Sequence, residues 1–395
     1  MDLLADAPMK WEPPADPNLT TLAQTGASLW TRDTPKVIAF DTETTGLSYH
    51  DEAFCVTVAW ACDDVIKGPG VYGYYFELEV PGVKEFLRKL FAHAEVLVGH
   101  NIKFDMHKVA KAGIVTDWSK YDLHDTEAMS HLDDEHRPKG LKDLAVSVLG
   151  ENETIKVPAT RTVDGTKEEY EKDVPREKYE IDQARAWAKK HYGFSSIKDV
   201  GYHLLPRGVI VPYSIKDAEF TLRLAQVLHP RILRFPDLAE LYAQEMKLTR
   251  TAIYSMEQAG MRVRGGYVRQ QILAYRKRVI QHELDIERIV GKQVRTGKIP
   301  PKEREQYFNP ASNPEIAAFF AGVGEVHDNY DAEKLSQIKH PLAAKLLAYR
   351  ADAKLLNTYF LALDQETGED NIYHQSVRQH GTVTGRTSNG AERGD

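Results

Sequence analysis

Four carboxylates and a tyrosine, at three separated places, constrain this chain more than any other feature. Asp41 and Glu43 close the apolar run 37–40 as Asp-Thr-Glu, and Asp105 follows a second apolar run, 96–98, inside Gly99-His-Asn-Ile-Lys-Phe-Asp105. Tyr213 and Asp217 occur as Tyr-Ser-Ile-Lys-Asp directly after Pro212. Alternate residues of a strand point to one face, so Asp41 and Glu43 project together at the strand's end. A helix brings residues i and i+4 together, so Tyr213 and Asp217 share a face, while Asp105 at the start of a helix suits the positive end of its dipole. Hard divalent cations such as Mg²⁺ take oxygen ligands, so this set has the chemistry of a metal site.

The order of elements around these residues gives the fold class. Runs 37–40, 55–61 and 72–76 read as strands, 83–93 as a helix, 96–98 as a short buried strand, and 106–112 as a helix that stops at Gly113. That order predicts an α/β body, a mixed sheet flanked by helices. A short helix at 140–149 and a clear one at 213–228 complete it; the intervening stretch 151–206, dense in charge, reads as an insertion of unknown role. From 241 onward the pattern is mainly α-helical, with long helices at 241–258, 267–290 and 341–363 and short strands after 371. Residues 1–34, rich in Pro, Asp and Thr, read as a poorly ordered lead-in. The expected domains are therefore 35–230 and 231–395.

Composition narrows the classes. The two cysteines, Cys55 and Cys62, are too few for a disulfide framework. No apolar run approaches the ~18 residues of a membrane span, and the acidic start is unlike a signal peptide, so a cytoplasmic protein without membrane contact is expected. The net charge of −7 hides an asymmetry: residues 241–300 hold 12 Lys and Arg against 5 Asp and Glu. A basic segment on an acidic body is compatible with duplex binding. There is no Gly-rich phosphate loop ending in Lys-Ser/Thr and no Cys/His zinc spacing.

Each carboxylate has a plain reading when taken alone: a solvated Asp-x-Glu, a helix-start aspartate, a surface Tyr–Asp pair. Together they make a complete ligand set. Two ions roughly 3.5–4 Å apart stabilise the attacking and leaving oxygens of a phosphodiester together.

The stretches Phe40-Asp-Thr-Glu-Thr-Thr-Gly-Leu47, Asn101-Ile-Lys-Phe-Asp105 and Tyr213-Ser-Ile-Lys-Asp217 resemble the three motifs of the 3′–5′ exonucleases that carry four acidic residues and a tyrosine. The resemblance implies a ribonuclease-H-like fold and two divalent ions, Mg²⁺ or Mn²⁺. Asp41, Glu43 and Asp217 would hold the first ion, with Asp41 bridging to the second. Asp105 would act on that second ion through its water shell, and Tyr213 would orient the attacking water. Leu47 and Asn101 match positions that touch the terminal nucleotide. Asp125-Thr126 and Gly140-Leu-Lys-Asp-Leu144 fit the same family between the second and third motifs.

The second half extends the likeness. Glu245 to Met261, Phe308-Asn-Pro-Ala-Ser312, His340-Pro-Leu and the 349–359 helix resemble the thumb of family-A DNA polymerases, phage-like in style. Gln379-His-Gly-Thr-Val-Thr-Gly-Arg386 resembles the strand entering the palm, which gives Arg386 a place against the primer terminus. The residues beyond Arg386 depart from the family, and no strand with polymerising aspartates is seen, so DNA synthesis by this chain alone is not expected. The leading expectation is a proofreading 3′–5′ DNA exonuclease joined to a DNA-gripping thumb, acting in replication inside a bacterial or phage-infected cell. Its partners would be a single-stranded 3′ end, primer–template duplex and, for a split polymerase, a separate chain supplying palm and fingers. A non-catalytic primer-end binding module and an RNA-trimming exonuclease are the rival readings.

Overall fold

The apolar run at 37–40 becomes the middle strand of a five-stranded sheet in the computed structural model, which describes residues 13–15, 35–64, 68–151, 154–163, 166–296, 303, 305–380, 382 and 385–389. Apart from residues 13–15, the lead-in expected over 1–34 lies outside the described residues. The strands are β1 (Val37–Thr44), β2 (Ala53–Asp64), β3 (Gly68–Glu77), β4 (Val96–Gly99) and β5 (Asp122–Asp125), in the order β3-β2-β1-β4-β5. β2 pairs antiparallel with β1 and β3, whereas β1, β4 and β5 run parallel. A mixed sheet of this kind is covered by helices on both faces, because the parallel pairs need crossovers.

Alternation along β1 assigns its faces. Ile38 and Phe40 enter one core with Leu87 and Phe91 of helix α1 (Val83–His93) and Ile102 and Met106 of α2 (Ile102–Lys111). Phe40 meets Phe91 edge-on at 5.4 Å between ring centroids. Ala39 faces the other way, into a core with Met129 of α3 (Thr126–Asp133), Leu144 of α4 (Leu141–Leu149) and Leu222 of α6 (Arg207–Leu233). Asp41 and Glu43 continue the Ala39 side and Thr42 the Phe40 side.

The stretch 151–206 folds as a β-hairpin, β6 (Thr154–Val163) with β7 (Thr166–Pro175), followed by helix α5 (Arg176–Tyr192). Ile181, Ala184 and Ala188 of α5 pack with Val209, Ile210 and Val211 of α6. Helix α6 starts at Arg207, six residues ahead of the start expected from Pro212, and carries Pro212 and Pro230 inside it. Pro212 is exposed, so its ring and the lost backbone bond are accommodated on the solvent side.

Two compact units make up the chain, Met1–Ala259 with Gln375–Asp395 and, separately, Gly260–His374. The sequence reading puts the step near 230, but α7 (Pro236–Leu248) buries Tyr242 and Met246 among Leu228 and Ile232 of α6, which holds it to the first unit. A π-helical turn, Thr249–Ile253, leads into α8 (Tyr254–Ala259), whose Tyr254 joins the Phe40 core. The chain returns to this unit after 374, where Val377 and Arg378 pair with Asn389 and Ser388. Buried Glu257 fastens the return: it is ion-paired with Lys103, lies 2.8 Å from His107 Nε2, and accepts the Val377 N–H at 2.6 Å. The Lys103 ammonium also donates to the Val377 carbonyl at 2.7 Å.

The second unit is helical. Its helices are α9 (Gly265–Val290), α10 (Asn313–Gly322), α11 (Ala332–Gln337), α12 (Pro341–Lys354) and α13 (Leu361–Glu366), with a π-helical turn at Leu355–Phe360 between the last two. Ile286, Phe320, Tyr330, Leu342 and Leu346 form its main core. Several bases of α9 are already paired, Arg278 and His282 both with Asp352. Among the described residues no helix is long and apolar enough to cross a membrane.

Candidate metal and nuclease site

Three of the five residues singled out in the sequence come together. Asp41, Glu43 and Asp217 each present an oxygen, and these atoms lie within 4.8 Å of one another. Asp41 and Glu43 reach the point from the end of β1, and Asp217 reaches it from the third turn of α6. The β1 register sets Asp41 opposite Thr57 and Glu43 opposite Cys55, with a bulge just after Glu43 that ends the regular ladder. The close approach of α6 to the sheet depends on Gly73 of β3: a Cβ there would lie 2.8 Å from the Ile215 carbonyl oxygen. The Gly73 N–H instead donates to Glu219 Oε1 at 2.8 Å.

Burial dominates the electrostatics of the trio. It lifts Asp41 to about 7, with the Asp217 charge adding and Lys142 and the Thr42 N–H opposing. Glu43 is raised well above the usual carboxylate range by burial, then by Asp41 and Asp217, while Ser214 and Lys142 oppose. Asp217 is raised by burial and relieved by Lys142. Close carboxylates out of water cannot all stay ionised without a cation. The donor set of three hard oxygens therefore fits a hard divalent ion and offers no soft ligand for others.

Two contributors escape a reading of the sequence. The Ser214 hydroxyl sits 2.9 Å from Glu43 Oε1 and 2.8 Å from the Ile210 carbonyl, fixing the glutamate against α6. Lys142, in the first turn of α4, is ion-paired with Asp217, and its ammonium lies 4.2 Å from the Tyr213 ring centroid. In the sequence Lys142 is marked only by its place in Gly140-Leu-Lys-Asp-Leu144, and Ser214 only by lying inside the third motif.

Tyr213 lines the same cleft, its ring edge-on to Tyr202 at 5.9 Å. Burial and the Asp217 charge push its phenol well above the ordinary range, so it stays protonated at neutral pH. Asp105 stands apart from the trio. It is buried and accepts from the N–H (2.9 Å) and the hydroxyl (2.5 Å) of Thr42, the residue between Asp41 and Glu43 in sequence. It lies in the first turn of α2, which begins at Ile102. Asn101 caps α2 in the left-handed conformation (φ 55°), and buried Asp125 accepts both the Asn101 and Ile102 N–H groups at 3.0 Å. Leu47 is half exposed on the loop after β1, which buried Lys108 holds by donating to the Ser48 and Asp51 carbonyls. Arg386 is exposed on the hairpin turn, where its carbonyl accepts from the Thr382 hydroxyl at 2.7 Å; Gly381, Val383 and Thr384 of the same motif lie outside the described residues.

A strand-end carboxylate pair completed by a helical aspartate is the apparatus of a metal-dependent phosphodiesterase. Comparison with known proteins makes the class specific. A family model described as 3′–5′ exonuclease, of the DNA polymerase A type, matches residues 22–233, and the chain belongs to that family. Among curated relatives, DNA polymerase DpoZ of Salmonella phage PMBT28 is 27% identical over 367 residues, 90% of this chain and 52% of that protein. The DNA polymerase of Escherichia phage T5 is 25% identical, over 89% of this chain and 39% of the relative. DNA polymerase I of Chloroflexus aurantiacus is 27% identical over 401 residues, 95% of this chain and 37% of that one. The chain thus spans about half the length, or less, of these relatives. The polymerase domain of Pol1 from M. smegmatis, solved with DNA primer-template and dNTP, matches the fold with a TM-score of 0.58 at 19% identity, covering 92% of this chain and 53% of that one.

Proposed function

We propose that this chain removes nucleotides one at a time from the 3′ end of DNA, as the proofreading part of a family-A replication polymerase. The convergence of Asp41, Glu43 and Asp217 carries the reading. These three would hold divalent metal, Mg²⁺ or Mn²⁺, and Asp105 would bear on a second ion through water. Bound metal supplies Lewis-acid stabilisation of phosphate charge and lowers the pKa of a bound water.

The chain's own groups do the rest. The Tyr213 hydroxyl, held protonated by its surroundings, orients the attacking water by hydrogen bonding and does not act as a base. Leu47 packs against the terminal base, and Asn101, fixed through Asp125, holds the sugar–phosphate. Arg386 lies against the primer terminus; the second unit, thumb-like in its sequence, binds primer–template duplex. The setting is the cytoplasm of a bacterial or phage-infected cell.

The test is a 5′-labelled single-stranded DNA incubated with the protein and Mg²⁺, beside an Asp41→Ala/Glu43→Ala control, a chelator lane and a matched RNA. A ladder of shortened DNA, absent in control and chelator, is expected. Intact DNA in every lane, or shortening of RNA alone, refutes the proposal.

A further inference from the structure

Resting on the metal-site reading, we propose that Lys142 is a resident counter-cation which divalent metal displaces from Asp217, and that its freed ammonium then binds a phosphate oxygen of the DNA strand. Nothing in the three motifs assigns this residue a part.

The geometry is specific. Lys142 is buried, and its ammonium is bonded to Asp217, one of the three carboxylates that point at a common centre. It also neutralises the field at Asp41 and Glu43. An ammonium on one oxygen of the Asp217 carboxylate competes with a dication for that group in a dry site, since two cations at one carboxylate repel. Besides Asp217, the ammonium meets the ring faces of Tyr213 (4.2 Å to the centroid) and Phe220 (5.2 Å), contacts that hold a cation without a directional bond.

A route for the displaced group exists. Lys142, Tyr213 and Asp217 line a solvent-open cleft that Lys178 and Arg185 of α5 also line, together with the acids Asp143 and Asp182. A lysine leaving Asp217 stays within this cleft, where three bases would flank a phosphodiester backbone. Lys178 and Arg185 belong to the 151–206 stretch, which gives that insertion a use: it brings two bases, with Asp182 between them, to the cleft.

Mn²⁺ affinity, read without DNA from the EPR signal of the free ion, separates this from a structural role. Lys142→Met keeps the stem and removes the charge; Lys142→Arg keeps the charge. The expected result is Mn²⁺ binding about tenfold tighter in Lys142→Met and close to the unaltered protein in Lys142→Arg. A merely structural lysine would leave the affinity unchanged or weaken it on removal, and either outcome overturns the displacement. Binding of a 5′-labelled single strand with Ca²⁺ should weaken about tenfold in Lys142→Met and recover in Lys142→Arg; unchanged DNA affinity overturns the phosphate contact. A thermal melt of each variant checks that it is folded. If the unaltered protein binds no Mn²⁺, the metal reading itself fails and takes the proposal with it.

Discussion

Metal binding to this site should expel protons, in a number that depends on pH. Burial and the neighbouring Asp217 raise Asp41 to about 7, and Glu43 is raised well above its ordinary value. At pH 6, a group with that constant is about nine-tenths protonated; at pH 8, about one-tenth. A divalent ion needs its ligands ionised, so loading at pH 6 should release about one proton from Asp41, with any held by Glu43 in addition. Apparent affinity should then fall about tenfold per unit of pH below 7 for each proton displaced. The stability linkage runs the same way. A carboxyl whose folded value is raised contributes stability that is full below its unfolded value, 3.8 for Asp41, and is lost as pH rises through about 7. The metal-free protein should therefore lose this contribution between pH 4 and 7, while saturating Mg²⁺ reverses the trend. Titration calorimetry in two buffers of different ionisation enthalpy, at several pH values between 6 and 8, measures the count directly. A proton release that is zero and flat across that range would sink the argument, because it would mean the trio is already ionised and hydrated without metal.

Three further outcomes rest on the packing. Glu257→Ala strands a buried ammonium and the Val377 N–H, and should cost about 3–5 kcal/mol in urea unfolding of the first unit; a loss below ~1 kcal/mol would show that water replaces the carboxylate. Gly73→Ala drives a methyl against the Ile215 carbonyl, so a loss of roughly 1–3 kcal/mol is expected together with a fall in nuclease rate, since the same turn of helix carries Tyr213 and Asp217; an unchanged melting temperature refutes the close-contact account. Tyr213→Phe should lower kcat by about tenfold or more with little change in KM, as expected for a hydroxyl that orients water in the transition state; a rise in KM alone would place the hydroxyl in substrate binding instead.

Residue periodicity carries some of these features and not others. Asp41 and Glu43 are legible because strand alternation after a fully apolar run leaves them one face to share. Asp217 joins them because helix α6 is long and strongly apolar toward the sheet. The hairpin β6–β7 is hard to see by the same test: Ile155, Val157 and Ala159 alternate in its first strand, but Pro158 interrupts that strand and the second, Thr-Lys-Glu-Glu-Tyr-Glu-Lys-Asp-Val-Pro, is mostly charged. Pro212 misleads about where α6 begins, since an exposed proline is tolerated inside a helix whose other faces are packed. Lys142 carries no periodic signal of its own, because its burial arises only when α4 and α6 bring together residues 75 positions apart. Asp105 is placed by its motif, and its bond to Thr42 depends on which face of β1 the helix α2 meets. No local pattern encodes that.

The return of the chain to its first unit bears on how a ribosome delivers this protein. Glu257 and Lys103 are both made early, yet the Val377 amide that shares their buried site emerges 120 residues after Glu257. At translation rates of about 5–20 residues per second, that interval is roughly 6–24 s. Throughout it a nascent nuclease unit would hold a charged pair with one donor and one acceptor still missing. The unit's last cooperative step therefore waits for synthesis of the whole helical unit between them.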